Sequence, residues 1–216
     1  MKHDFWHNKW QKNEIGFHLP EANPLLVKHF SALQLNPDSR VFLPLCGKTL
    51  DIHWLLAQGY QVAGAELSAI AVEALFNDLN LTPSITKTGH LTQYSAPNIT
   101  MWNGDIFELN QALLGKVDAV YDRAALVALP LEMRERYTTH ITAITQHARQ
   151  LLVCFDYQQA LLDGPPFCVN ADEVRLHYAQ NYAVNLLASA ELAGGLKGTV
   201  AAFEQVWQLA PRNLFR

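Results

Sequence analysis

The chain has 216 residues, half of them apolar, which is the length of one α/β domain with a sizeable core. Sixteen basic against twenty acidic residues leave a net charge of −4, and this argues against a nucleic-acid-binding surface, which needs clustered Lys and Arg. No apolar run approaches a membrane span, and the start, Met1-Lys2-His3-Asp4-Phe5-Trp6-His7, lacks the apolar core of a signal peptide. With three scattered cysteines (Cys46, Cys154, Cys168) and no C-x-x-C pair, reduced thiols in a cytoplasmic chain are expected.

Residues 1–19 are rich in aromatics: Phe5, Trp6, Trp10 and Phe17. Trp6 and Trp10 fall on one face of a helix. That face either packs on the core or forms a lid over a ligand, because the segment precedes the first strand. His3 and His7 share the same spacing, but nothing nearby completes a metal set, so they read as solvated. Asn23-Pro24 opens a helix, with Asn as N-cap and Pro in the first turn, and Leu26, Phe30 and Leu33 line one face of it. Asn36-Pro37-Asp38-Ser39 is a turn.

The apolar run Val41-Phe42-Leu43-Pro44-Leu45 then reads as a buried strand ended by Pro44, which cannot donate to a ladder. Gly47 permits a tight turn and close approach of a ligand. A helix from Lys48 to Gln58 is stopped by Gly59, and a second strand, Gln61 to Glu66, ends in an acid about 20 residues after the glycine. That layout is either an ordinary βαβ unit with a surface Glu or the ribose site of a doubly wound sheet. Three-glycine and Walker A fingerprints are both missing, so there is no cradle of amides for a pyrophosphate. A cofactor with a ribose and no phosphate fits better, and S-adenosylmethionine is one.

Ser68 is placed to cap a helix reaching Asn80, and Thr82-Pro83 breaks it. Residues 84–98 read as polar and irregular. Ile99-Thr100-Met101-Trp102 is a short strand running into Asn103-Gly104-Asp105, where Asp105 either bonds an adenine amine or serves turn chemistry. Val117 to Asp122 is a fourth strand, which sets Arg123 at the carboxyl edge, where open α/β sheets bind ligands. Pro130 opens a helix to about His147, and Leu151 to Phe155 is a fifth strand. The rigid loop Asp163-Gly164-Pro165-Pro166-Phe167 roofs the same edge. A helix over 171–180 precedes two late strands, Tyr182–Ser189 and Val200–Leu209, which must pair antiparallel because no helix lies between them.

Taken in order, Trp6, Trp10, Phe17-His18, Pro44-Leu45-Cys46-Gly47-Lys48, Asp51, Gly64, Glu66-Leu67-Ser68, Asp105-Ile106-Phe107, Asp122-Arg123-Ala124-Ala125-Leu126-Val127-Ala128 and Gly164-Pro165-Pro166-Phe167 resemble the thiopurine S-methyltransferase family in its bacterial form. The resemblance spans nearly the whole chain. It implies an α/β, doubly wound class I methyltransferase fold: a seven-stranded, mostly parallel sheet with a C-terminal antiparallel hairpin and an N-terminal helical lid. The expected layout is one domain over 1–216, with lid and first helix in 1–36 and the catalytic sheet in 37–216. The implied reaction moves the methyl group of S-adenosylmethionine to the sulfur of an aromatic or heterocyclic thiol; a monomer acting without metal is expected.

By the same resemblance Trp10 closes over the cofactor and the backbone at Leu45 and Gly47 meets its methionine portion. Glu66 holds the ribose hydroxyls, and Asp105 and Ile106 flank the adenine. Arg123 serves both cofactor and catalysis, and Phe17 and Phe167 flank the substrate. The chain departs from its relatives at Glu191 to Gly198, which holds no substrate-orienting arginine; Lys197 stands there without a guanidinium fork. Because thiolates form near neutral pH, no dedicated base is required. The alternatives are transfer to other small acceptors, including selenium or tellurium compounds, and a non-catalytic sensor of the same cofactor.

Overall fold

In the computed structural model, which describes residues 3–16 and 18–212, the apolar run at Arg40–Pro44 is strand β1 and sits inside a nine-stranded sheet. The other strands are β2 (Gln61–Glu66), β3 (Ser84–Thr88), β4 (Leu91–Ala96), β5 (Ile99–Asn103), β6 (Ala119–Arg123), β7 (Arg149–Tyr157), β8 (Tyr182–Glu191) and β9 (Ala202–Pro211). Their order is β3-β4-β5-β2-β1-β6-β7-β9-β8. Strands β5, β2, β1, β6 and β7 run parallel, and β9 and β8 follow antiparallel, as the missing helix between them requires.

The expected seven strands are therefore present, and two more lie outside them. Residues 84–98, expected to be irregular, form β3 and β4, which extend the sheet antiparallel beyond β5. Gly89, with φ of 62°, takes the left-handed first position of the two-residue loop between them. The sequence hides this hairpin because β3 is an edge strand whose side chains are nearly all exposed. With no buried face there is no apolar alternation to read.

Helices cover both faces. Their ranges are α1 (His3–Gln11), α2 (Pro24–His29), α3 (Leu50–Ala57), α4 (Ala69–Asp78), α5 (Gln111–Leu114), α6 (Leu131–Ile144) and α7 (Ala171–Tyr178). One core joins Leu26, Ile52, Leu55, Val72 and Phe76 to the Val41, Tyr121, Val153 and Val206 face of the sheet. The other joins Leu114, Tyr137, Ile141 and Tyr178 to the Phe42, Val120, Leu152 and Trp207 face. Each fully buried side chain of the Leu or Phe kind contributes about 1.5–3 kcal/mol. Consecutive residues of one strand thus serve different cores, because side chains alternate across a strand.

The caps read from sequence hold where a side chain closes them. Asn23 accepts from Leu25 N–H at 2.8 Å and opens α2. Thr49 caps α3 by accepting from Asp51 N–H at 3.3 Å, which starts that helix two residues later than expected. Ser68 stands at the N-cap position of α4 without a side-chain bond there.

Candidate active site

Strand order reverses around β1: β2 lies on one side of it and β6 on the other. Connections leaving β1 and β6 therefore part and open a crevice at the carboxyl ends of the strands. A cavity of about 850 Å³ occupies this position. Trp6 and Trp10 of α1 line it from above, Leu45, Gly47 and Glu66 from one side, and Arg123 from the other.

The two loops are held in unusual conformations. Leu45, directly after β1, has φ of 47°, and Ala124, directly after β6, has φ of 60°. Left-handed backbone at a residue with a side chain costs about 1–3 kcal/mol and clusters at ligand-binding sites. Here both cases lie on the cavity wall. The amides of Cys46 and Gly47 are already used, the first on Ala65 O at 3.2 Å and the second on Glu66 Oε2 at 2.7 Å. What this loop offers a ligand is carbonyl oxygen, which suits an ammonium group.

Glu66 ends β2 and is buried. Its Oε2 takes the Gly47 N–H, and its Oε1 takes the Ser68 N–H at 2.8 Å. Burial pushes its pKa up, and the two amides oppose that shift. A carboxylate has about four acceptor positions. Two are spent on structure, and two remain for hydroxyl donors.

Arg123 lies across the cavity. Its Nη1 is 4.0 Å from Oδ2 of Asp51, and both side chains are largely buried. Asp51 occupies the first turn of α3, and its Oδ1 accepts from Asn23 N–H at 2.6 Å, tying the chain before α2 to α3. Oδ2 of Asp51 and the hydroxyl of Tyr121 are buried with no hydrogen-bond partner among the described residues. Burial, with Asp51 next, drives the Tyr121 hydroxyl well above its usual range.

The residue beside Arg123 faces the opposite core. Asp122 accepts from Tyr137 O–H at 2.7 Å and from Leu126 N–H at 3.1 Å. Burial raises its pKa from 3.8 to about 6. The native state therefore holds this proton longer than the unfolded chain does. The stability it contributes is complete below 3.8 and is lost as pH rises through about 6. We expect the difference in unfolding free energy between wild type and Asp122→Asn to change by about 3 kcal/mol across that window. Urea titrations at stepped pH measure it, and parallel curves for the two proteins would count against a buried, proton-holding Asp122.

Asp105 and Ile106 follow the carboxyl end of β5, whose Asn103 is in register with Glu66. Asp105 caps a short 3₁₀ turn by accepting from Phe107 N–H at 3.0 Å, so its turn role is real. Ile106 is buried in the core. Neither lines the cavity. Phe167 does not line it either. Its N–H donates to Val127 O at 2.6 Å, and the Arg134 guanidinium lies 5.5 Å from its ring centroid. Pro165 and Pro166 form the roof instead. Gly164, with φ of 78°, packs so closely on the Phe167 ring that a Cβ there would collide with it. Arg134 fastens the loop through Cys168 O at 2.9 Å and Glu173 at 2.7 Å. Phe17 lies outside the described residues. Lys197 is on the cavity rim, exposed.

Sequence reasoning gives no site role to Asp51, Tyr121 or Glu204, all of which line the cavity. Asp51 carries a signal, an acid in the first turn after a glycine. Tyr121 and Glu204 carry none beyond their places in strands.

The fold is shared with solved methyltransferases. An S-adenosylmethionine-dependent methyltransferase from Anabaena variabilis aligns at TM-score 0.64 with 18% identity, over 96% of this chain and 94% of that one. The 1,6-didemethyltoxoflavin-N1-methyltransferase of Burkholderia thailandensis, solved with S-adenosylhomocysteine, aligns at TM-score 0.65 with 13% identity, over 96% and 87%. These define the class I methyltransferase fold. The family model for thiopurine S-methyltransferase matches residues 1–212. The chain is 55% identical over 210 residues to thiopurine S-methyltransferase of Xanthobacter autotrophicus, covering 97% of this chain and 99% of the relative. It is 50% identical over 214 residues to that of Teredinibacter turnerae, covering 99% of each. The chain belongs to the thiopurine S-methyltransferase family.

Proposed function

We propose that this chain transfers the methyl group of S-adenosylmethionine to the sulfur of aromatic and heterocyclic thiols, thiopurines among them. The observation that carries the reading is the pairing of Glu66 and Arg123 across one cavity, on loops held open by left-handed Leu45 and Ala124, in a member of this family.

The wall fits the methyl donor. Two free acceptor positions on Glu66 suit the two hydroxyls of a ribose. Carbonyl oxygen at Leu45, beside the Gly47 turn, suits the α-ammonium of the methionine portion. Asp105 and Ile106, two and three residues past the register partner of Glu66, mark the side where the adenine would lie. Trp10, buried at the cavity roof, would close over the donor. When bound, the donor supplies a methyl group already activated by a neighbouring positive sulfur. The protein's share is then alignment and exclusion of water. Arg123 would favour the anionic form of the acceptor. Phe17 and the Gly164–Phe167 loop would flank the acceptor ring, and the roof formed by Pro165 and Pro166 supports that placement. We place the enzyme in the cytoplasm, as a monomer built on one catalytic domain. Among the described residues no helix is long and apolar enough to cross a membrane.

Methyl transfer from labelled S-adenosylmethionine to matched thiol, selenol, oxygen and nitrogen acceptors tests the reading. Label in the thiol products, aromatic thiols foremost, is expected. Label only in oxygen or nitrogen products, or donor binding without turnover of any acceptor, would discard it in favour of a different acceptor class or a sensor.

A further inference from the structure

A carboxylate on the last strand is not used by the chemistry above. Glu204 lies on β9, directly opposite Phe155 of β7. Two residues on, Val206 is opposite Val153, which is beside Arg123 of β6. Alternation along each strand therefore puts Glu204, Arg123 and Tyr121 on one face of the sheet. All three line the cavity. Their strands are two spacings apart, about 10 Å, so a small ring can stand between the carboxylate and the guanidinium.

The Glu204 side chain is half-buried and has no hydrogen-bond partner among the described residues. A carboxylate removed from water without a partner is costly, and here it is held at the cavity wall. The other charged and titratable groups that line the same cavity are Arg123 and Tyr121 from β6, Asp51 from α3, Glu66 from β2, Cys46 and Lys48 from the β1–α3 loop, Lys9 from α1, Glu14, His18 and Glu21 from the segment after it, and Lys197 from the β8–β9 loop. Burial raises the Glu204 carboxyl and Arg123 lowers it.

A guanidinium and a carboxylate on one wall of the cavity, two strands apart, fit a ligand with an anion-forming atom at one edge and an N–H donor at another. Heteroaromatic thiols in their thione form have both, since the proton is on a ring nitrogen next to the C=S carbon. We propose that Glu204 binds this ring N–H and takes its proton, and so selects N–H-bearing thiones over acceptors that are anionic from the start. The N–H bond breaks and an O–H bond forms on Glu204. The electron pair left on nitrogen delocalises to sulfur, which becomes a thiolate facing Arg123. The proton then leaves to water at the open rim. A carboxyl raised by burial sits closer to the thione N–H in proton affinity than an ordinary carboxylate does, which makes the transfer less uphill.

The inference rests on the proposed S-methyl transfer, so the test compares acceptors within one enzyme. Mercaptopurine serves as the thione, and thionitrobenzoate as an aryl thiolate with no ring N–H. Glu204→Gln should lower kcat/KM for mercaptopurine by about tenfold to a hundredfold at about pH 6. The deficit should shrink at alkaline pH, where the acceptor has ionised unaided. The same variant should raise kcat/KM for thionitrobenzoate, because a like charge is gone. A second readout needs no turnover. Mercaptopurine bound to the donor-free protein at mildly acid pH should show more thiolate absorption with wild type than with Glu204→Gln. Should the Gln variant unfold, Glu204→Asp keeps the carboxylate and should keep the acceptor preference and pH profile at a reduced rate. Equal losses on both acceptors at every pH, or identical spectra, overturn the proposal and leave Glu204 as a support for Arg123. Wild type that turns over neither acceptor overturns the methyl-transfer reading, and this proposal with it.

Discussion

Replacing Arg123 with alanine is expected to slow methyl transfer to a thiol at saturating donor by about 30- to 150-fold, the worth of about 2–3 kcal/mol for a hydrogen bond to a charged group. The loss should be largest at low pH, where the acceptor is protonated and most needs a cation to ionise. It should shrink at high pH, where thiolate is abundant. Arg123→Lys keeps the charge and loses the planar fork, so its deficit should lie between wild type and alanine. The structure adds a consequence for folding. Asp51 is buried, and the Arg123 guanidinium is 4.0 Å from its unbonded oxygen. Removing that cation leaves the carboxylate, among the described residues, with the Asn23 amide alone, which should cost about 1–3 kcal/mol of stability. Rates must therefore be compared well below the melting temperature of the variant. A deficit that is the same at every pH would reduce Arg123 to a positioning residue.

Glu66→Gln is expected to weaken binding of S-adenosylhomocysteine by roughly ten- to a hundredfold, since charge-assisted bonds to hydroxyls are worth about 1.5–3 kcal/mol. Isothermal titration calorimetry measures it, and an unchanged dissociation constant would remove Glu66 from the site. From sequence alone this substitution looks harmless to the fold. The structure says otherwise. Glu66 accepts from Gly47 N–H with one oxygen and from Ser68 N–H with the other. Glutamine can accept with one atom only, so one buried amide faces a second donor. A drop of about 1–3 kcal/mol in stability should accompany the loss of affinity. That coupling reflects a carboxylate that both closes the β1 loop and presents its remaining lone pairs to the cavity.

Several parts of the site are legible in the amino-acid order. The acid ending the next strand, one helix after a glycine turn, locates Glu66, because a parallel strand must deliver its last residue to the carboxyl edge. Arg123 is legible on the same ground. The Trp6/Trp10 stripe locates a helix that does line the cavity. Asp105 and Ile106 read less well: Asp105 spends its side chain on a turn, and Ile106 is in the core. In the roof it is the prolines of the loop that line the cavity, while Phe167 packs against Gly164 and Arg134.

What the sequence determined by itself was most of the local elements and the strand ends that carry Glu66 and Arg123. Apolar runs of strand length, Pro44 as a stop, Asn23 as a cap and the missing late helix are short-range facts. Each acts within a few residues, so the chain alone expresses it. What only the tertiary structure decided was which distant residues meet. Asp51, Tyr121 and Glu204 stand on α3, β6 and β9, and they converge on one cavity because strand order and register put their faces side by side. A half-exposed glutamate on a late strand looks like any other until the strand opposite it is known. The β3–β4 hairpin is hidden for a related reason. An edge strand with almost no buried side leaves no periodic trace, and only pairing to β5 makes it a strand.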